Sequence, residues 1–194
     1  MKTEIEAKFL QVDIESIRER LKSAGAVLKI PMRMMRRVAI KMPWMYENDS
    51  FLRIRDEGDK ITVTYKQFSS RSVDGTFEIE TTVGDFDEAV RLFNAVRLPT
   101  TSYQETRREE WELDGAEIVI DEWPWVKPLV EIEADDEAAV RSVAERLGFD
   151  WADAVFGSVM RAYEAEYPLL ETGALISGVP EVKFGAPIPD MLKS

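Results

Sequence analysis

The chain has 194 residues, 45% of them apolar, enough for one domain with a sizeable core. Its 25 Lys and Arg against 37 Asp and Glu leave a formal net charge of −12, which argues against a general nucleic-acid or anionic-membrane surface but leaves room for a small basic pocket in an acidic shell. Cys and His are both absent, which excludes disulfides, thiolate chemistry, Ser-His-Asp catalysis and His-ligated zinc or iron, so any metal is a hard ion held by oxygen.

Hydrophobic period then divides the chain. Lys2–Leu10 alternates charge with Ile5, Ala7 and Phe9 and reads as a strand. Asp13–Ala24 reads as a helix with Asp13 as N-cap, an Ile14, Ile17, Leu21 stripe and Gly25 after its end. Met32–Met42 is a predicted strand with Arg33, Arg37 and Lys41 on one face, and Pro43–Ser50 a loop. Phe51–Asp56 and Lys60–Gln67 form a hairpin around Glu57-Gly58-Asp59, with Arg53 and Arg55 sharing a face of the first strand. Thr76–Val83 places Glu78 and Glu80 together, and Asp85–Val96 is a helix with a Phe86, Ala89, Val90, Phe93 stripe. Three strands follow at Tyr103–Leu113, Glu117–Glu122 and Leu129–Ala134, the first two joined by a tight Asp114-Gly115 turn. Asp136–Leu147 is a helix ended by Gly148, and Phe156–Glu166 a further one. Pro168–Ser194 holds four Pro and three Gly, Gly173 among them, and reads as loop with a short strand at Pro180–Phe184. The expected organisation is a domain over residues 1–150 with a helix- and loop-rich extension, 151–194, packed on it. No run of 18 apolar residues is present and Met1-Lys2-Thr3-Glu4 does not open a signal peptide, so the expected location is cytoplasmic.

Charges at i and i+2 on a strand point the same way. The carboxylates come in such pairs, Glu4/Glu6, Glu78/Glu80 and Glu131/Glu133, with Asp121 alone; the cations are Arg53/Arg55, with Lys8, Arg33, Arg37, Lys66 and Arg108 alone. On any one strand a wet sheet face explains them. Taken together, with three amphipathic helices available to cover the apolar faces (Ile5/Phe9, Val38/Ile40, Leu52/Ile54 and, in part, Ile118/Val119), they suit the charged interior of a barrel. Such an interior must be wet and hold ligands, because unpaired buried charge is costly. Arg forks match phosphate oxygens and clustered carboxylates suit a divalent cation, so the pattern points to a metal–polyphosphate site and phosphoryl or nucleotidyl transfer.

Glu4-Ile5-Glu6-Ala7-Lys8 resembles the E-x-E-x-K signature of the CYTH superfamily, the triphosphate tunnel metalloenzymes, which include class IV adenylate cyclases, thiamine triphosphatases and inorganic triphosphatases. Leu52-Arg53-Ile54-Arg55, Val63-Thr64-Tyr65-Lys66, Glu78-Ile79-Glu80, Arg107-Arg108-Glu109-Glu110-Trp111, Ile118-Val119-Ile120-Asp121 and Val130-Glu131-Ile132-Glu133 are similar to its later strands, in order, over about residues 1–150. The resemblance implies an α+β fold: an eight-stranded antiparallel closed β-barrel, its tunnel binding a triphosphate, with amphipathic helices outside. It implies Mg²⁺ or Mn²⁺ on Glu4, Glu6, Asp121, Glu131 and Glu133, and phosphate contacts from Lys8, Arg53, Arg55, Lys66 and Arg108. To these contacts we add Arg33 and Arg37; Arg37 stands where the family often carries a carboxylate. Lys8, Arg55, Glu78 and Glu80 are the expected catalytic groups.

Hydrolysis of a phosphoanhydride bond is the leading expectation. Class IV cyclisation of ATP to cyclic AMP and pyrophosphate, and non-catalytic nucleotide or polyphosphate binding, are the alternatives. The expected partner is a triphosphate-containing small molecule, with no nucleic acid and no membrane, and a homodimer left open. Trp123-Pro124-Trp125 reads as hydrophobic cover for a loop at the barrel mouth, and Arg36 and Arg107 as outward-facing.

Overall fold

The structure, a computed structural model, describes residues 2–170 and 176–193; Gly173 of the Pro- and Gly-containing tail lies outside them. Nine strands and five helices are present among the described residues. Strand β1 is Lys2–Phe9, β2 Val27–Ile40, β3 Ser50–Asp56, β4 Ile61–Phe68, β5 Thr76–Val83, β6 Ser102–Leu113, β7 Ala116–Glu122, β8 Leu129–Ala134 and β9 Glu181–Val182. The helices are α1 Ile14–Ala24, α2 Pro43–Glu47, α3 Phe86–Ala95, α4 Glu137–Arg146 and α5 Met160–Glu166. No helix among the described residues is long and apolar enough to cross a membrane.

The strand order is β2-β3-β4-β5-β1-β8-β7-β6, and pairing of β2 with β6 closes it into an eight-stranded antiparallel barrel. The short β9 adds to β6 in parallel, Tyr103 opposite Glu181. Closure gives each of the eight strands a neighbour on both sides, β9 extending the edge that β7 leaves at the start of β6, and forces alternate side chains inward and outward.

Outward apolar faces are covered by the helices. Ile17 and Leu21 of α1 and Val140, Val143 and Ala144 of α4 bury Ala7, Phe9, Ile118, Ile120, Val130 and Ile132. Phe86 and Ala89 of α3 bury Val38 and Ile54. Each covering helix starts on an aspartate whose carboxylate accepts a backbone N–H of the first turn: Asp13 from Ser16 at 2.8 Å, Asp85 from Glu88 at 2.7 Å and Asp136 from Ala139 at 2.8 Å. Gly25 closes α1 with φ +84°, a conformation costly for a residue with a Cβ.

Four expectations need correction. β2 begins at Val27, five residues before the predicted start, because Pro31 interrupts the alternation and the pairing with β6 shifts register between Leu28 and Arg33. Pro43–Glu47 is a short helix with Pro at its start, not loop. Helix α5 begins at Met160; Gly157, at φ +99°, keeps the preceding residues irregular. Val119, expected partly outside, shares the inward parity of Glu117 and Asp121.

The chain after Phe149 returns to one end of the barrel. Val155 and Lys8 exchange backbone hydrogen bonds of 3.0 and 2.9 Å. Met160, Tyr163, Ile176, Val182 and Leu192 then pack with Trp123 and Leu129.

Candidate active site

A cavity of about 350 Å³ runs through the barrel and is lined by inward side chains of all eight barrel strands. Its charge is divided by strand order. The neighbouring strands β5, β1, β8 and β7 contribute Glu78 and Glu80, Glu4 and Glu6, Glu131 and Glu133, and Glu117 and Asp121. The other four, β6, β2, β3 and β4, contribute Arg108, Arg37, Arg53 and Arg55, and Lys66. Lys8 is the one lining cation placed well within the acidic half; Lys2 lies at its exposed margin.

Two lysines stitch the acidic wall. Lys8 Nζ sits 2.8 Å from Glu6 and 2.7 Å from Glu131. Lys66 Nζ reaches across to Glu4 at 2.8 Å and Glu78 at 2.9 Å. Burial pushes the Glu4 carboxyl up, to about 7, against the pull of Lys66 and with help from Glu6 and Glu78. Burial and the nearby Glu131 push Glu6 up as well. Burial opposes charge on Lys8 too, but Glu131 and Glu6 override it and raise the ammonium. The wall therefore carries more carboxylate than its own lysines neutralise comfortably.

The arginines fall into two kinds. Arg108 gives Nε and Nη2 to the two oxygens of Asp121 at 2.7 and 2.5 Å. Arg55 gives Nε and Nη2 to Glu57 at 2.8 and 2.6 Å. Arg37 and Arg53 have no such pin. Their Nε atoms are buried and lack any hydrogen-bond partner. Burial first, then repulsion from Arg55, holds Arg53 down to about 10, and burial, then repulsion from Arg53 and Arg55, holds Arg37 far below its ordinary value. Two under-neutralised guanidinium groups thus line the cavity, each with a buried Nε left without a partner, an arrangement suited to an anion with several oxygens.

The first 150 residues carry the family's sequence features as well as this geometry: the CYTH domain model matches residues 2–151. The chain belongs to the CYTH domain family. No curated protein matches this CYTH chain by sequence. Among solved structures, a protein of Pyrococcus horikoshii OT3 superposes with a TM-score of 0.70 at 22% identity, over 82% of this chain and 98% of that one. A Vibrio parahaemolyticus protein, provisionally named an adenylate cyclase, gives 0.69 at 14% identity, over 83% and 97%. A Hippeastrum protein, provisionally named an adenylyl cyclase and described as having a dominant triphosphatase activity, gives 0.54 at 13%, over 81% and 95%. At these identities the likeness is one of fold.

Of the expected site residues, all but Arg33 line the CYTH cavity. Arg33 has the right parity but sits at the rim, held by Glu57, Asp59 and Glu110. Asp121, expected on a metal, has both oxygens on Arg108. No three carboxylates among the described residues are gathered into a ready cage, since Lys8 separates Glu6 from Glu131. The donor set nonetheless suits a hard divalent cation: Glu4, Glu6, Glu131 and Glu133 are carboxylates on adjoining strands, and burial with neighbouring carboxylates already disfavours ionisation of Glu4 and Glu6.

Several lining or supporting groups carry no site role in the sequence reading. Thr64 donates to Glu80 at 2.8 Å and accepts from Arg53 at 3.1 Å, and Thr106 accepts from Arg37 at 2.8 Å. Their strand parity, shared with Lys66 and Arg108, was the available signal. Trp123, read as loop cover, lines the cavity beneath Arg37. Gly157, Ser158 and Met160 reach it from the C-terminal segment, beyond the family match.

Proposed function

We propose that this CYTH protein is a divalent-metal-dependent triphosphatase, hydrolysing a phosphoanhydride bond of a tripolyphosphate, nucleoside triphosphate or thiamine triphosphate with Mg²⁺ or Mn²⁺. The single observation that carries the reading is the pair Arg37 and Arg53, buried, mutually repelling and each with an unpartnered Nε beside a carboxylate wall.

In this reading phosphate oxygens take the free edges of Arg37 and Arg53, and Lys66 and Arg108 neutralise further oxygens. Lys8 and Arg55 hold the phosphoryl group under attack and balance the charge that develops on it. Glu78 and Glu80 orient the attacking water and take its proton. The water oxygen bonds to phosphorus, the anhydride P–O bond breaks, and its electron pair leaves with the remaining phosphates. Glu4, Glu6, Glu131 and Glu133 would hold the divalent ion, which when bound neutralises phosphate charge and polarises the attacked group. Asp121 keeps Arg108 oriented.

The test is incubation with tripolyphosphate, ATP and thiamine triphosphate, each with Mg²⁺ or Mn²⁺. Release of free phosphate is expected. Cyclic AMP with pyrophosphate would move the assignment to a cyclase, and tight binding with no turnover to a non-catalytic binder.

A further inference from the structure

We propose that Lys41 is a further substrate-binding residue, holding phosphate oxygens beside Arg37 and Arg53 toward the end of the cavity where Asp49 reaches solvent. The proposal rests on the triphosphate site above and adds to it a residue outside the segments whose motifs resemble the family's. Lys41 follows β2 directly and, with Arg37 and Ala39, lines the cavity at alternate positions of the chain. Ala39 lies opposite Arg53 of β3 and Ser102 of β6. It presents a methyl group where its neighbours of the same parity present long cations. No side chain of β2 therefore fills the space between Arg37 and Lys41, and Arg53 borders that space from the next strand.

Lys41 is 6% exposed. Its Nζ sits 3.5 Å from Asp49 and 4.9 Å from the centre of the Tyr46 ring. The Asp49 side chain is 67% exposed, so water screens the pair and Asp49 offsets little of the cost of burying the ammonium. Burial accordingly holds Lys41 below its ordinary value, although Asp49 pulls the other way. An ammonium has three donors, and one carboxylate at this distance leaves donors to spare. Arg37 is in the same position, with an aromatic face, one hydroxyl and an unpartnered Nε. So is Arg53, whose carboxylate neighbour Glu80 is also 3.5 Å away. By contrast, Lys8, Lys66, Arg55 and Arg108 each hold a carboxylate at 2.8 Å or less. The three buried cations that flank Ala39 are thus the loosely paired ones, and they suit one ligand that brings several anionic oxygens.

The test is calorimetric titration with tripolyphosphate, without added metal so that nothing turns over, of wild type, Lys41→Met, Lys41→Arg, Asp49→Asn and Lys29→Met. Lys41→Met should weaken binding at least about tenfold, while Lys41→Arg, which keeps the charge and its donors, should stay within about threefold of wild type. Lys29→Met removes an equal charge from an exposed pair with Glu112 and should change affinity by less than about twofold. Asp49 has a φ of +44°, which asparagine also adopts, so Asp49→Asn leaves the backbone unstrained. It removes the carboxylate that competes for Lys41 and should tighten binding about twofold or more. Wild-type affinity in Lys41→Met overturns the proposal, as does an equal loss in Lys29→Met, which would make the loss an effect of net charge. Unchanged or weaker binding in Asp49→Asn overturns it too, and does so even if Lys41→Met fails to fold. If wild type binds tripolyphosphate and the Lys41 variants match it, only this proposal falls; if wild type does not bind, the triphosphate site falls with it.

Discussion

The Arg37 guanidinium lies 4.4 Å over the Trp123 ring and donates from Nη2 to Thr106 Oγ1 at 2.8 Å, while its Nε has no partner. An aromatic face and one hydroxyl leave a buried cation under-compensated. Binding and stability should therefore move in opposite directions on its removal. Arg37→Met is expected to lower tripolyphosphate affinity about tenfold and to raise Tm by roughly 2–4 °C, the equivalent of about 1 kcal/mol in a chain of this size. Arg36→Ala is the control, since Arg36 faces outward onto Asp56 at 3.0 Å and the Phe86 ring. Calorimetry and thermal melts read both effects; a fall in Tm for Arg37→Met contradicts the idea of stored electrostatic strain.

Arg53 sits between Thr64 at 3.1 Å and Glu80 at 3.5 Å, with its Nε free. A charge-assisted contact to phosphate is expected to contribute at least about 1.5 kcal/mol, so Arg53→Ala should weaken tripolyphosphate binding tenfold or more. An unchanged dissociation constant would remove Arg53 from the site.

Strand parity made most of the site legible. Because i and i+2 share a face, Glu4/Glu6, Arg53/Arg55, Glu78/Glu80 and Glu131/Glu133 could be read as facing one interior before any pairing was known. What parity cannot supply is position along the barrel axis or the order of strands around it. Arg33 and Arg37 have the same parity, yet one is at the rim and the other in the cavity. The segregation of acid and base follows from β5, β1 and β8 being neighbours, a pairing of segments more than fifty residues apart. Pinning is equally invisible: Arg53 and Arg55 look alike in sequence, and only the turn placing Glu57 against one of them separates their roles. Trp123 eluded the reading because its contact with Arg37 joins the residue after β7 to β2, two strands away around the barrel.

Glu4 and Glu6 bear on metal binding and can be neutralised without unpairing their lysines. Lys66 retains Glu78 at 2.9 Å and Lys8 retains Glu131 at 2.7 Å. Burial already disfavours charge on both carboxyls, so amides of the same shape should be accommodated. The double variant Glu4→Gln, Glu6→Gln is expected to keep its circular dichroism spectrum and lose metal-dependent phosphate release to background. Wild-type rates in that variant would defeat the assignment of these residues to the metal.

Outside the barrel, Arg18 of α1 grips Glu109 of β6 through Nε at 3.1 Å and Nη2 at 2.6 Å, and Trp111 Nε1 donates to the same carboxylate at 2.7 Å. Burial acts to raise the Glu109 carboxyl, but Arg18 and Trp111 bring it below its ordinary value near 4.5. A carboxyl held low in the folded state binds fewer protons there than in the unfolded chain. Its contribution to stability is therefore full above about pH 4.5 and is lost as the pH falls through the folded value. Arg18→Met strips the buried carboxylate of its charge partner and should cost about 2 kcal/mol at pH 7. Below the folded value both proteins carry a neutral Glu109, so the gap should close. Urea unfolding at pH 7, 5 and 3 measures it, and a gap as wide at pH 3 as at pH 7 would mean that Arg18 acts through its packing on the sheet and not through its charge.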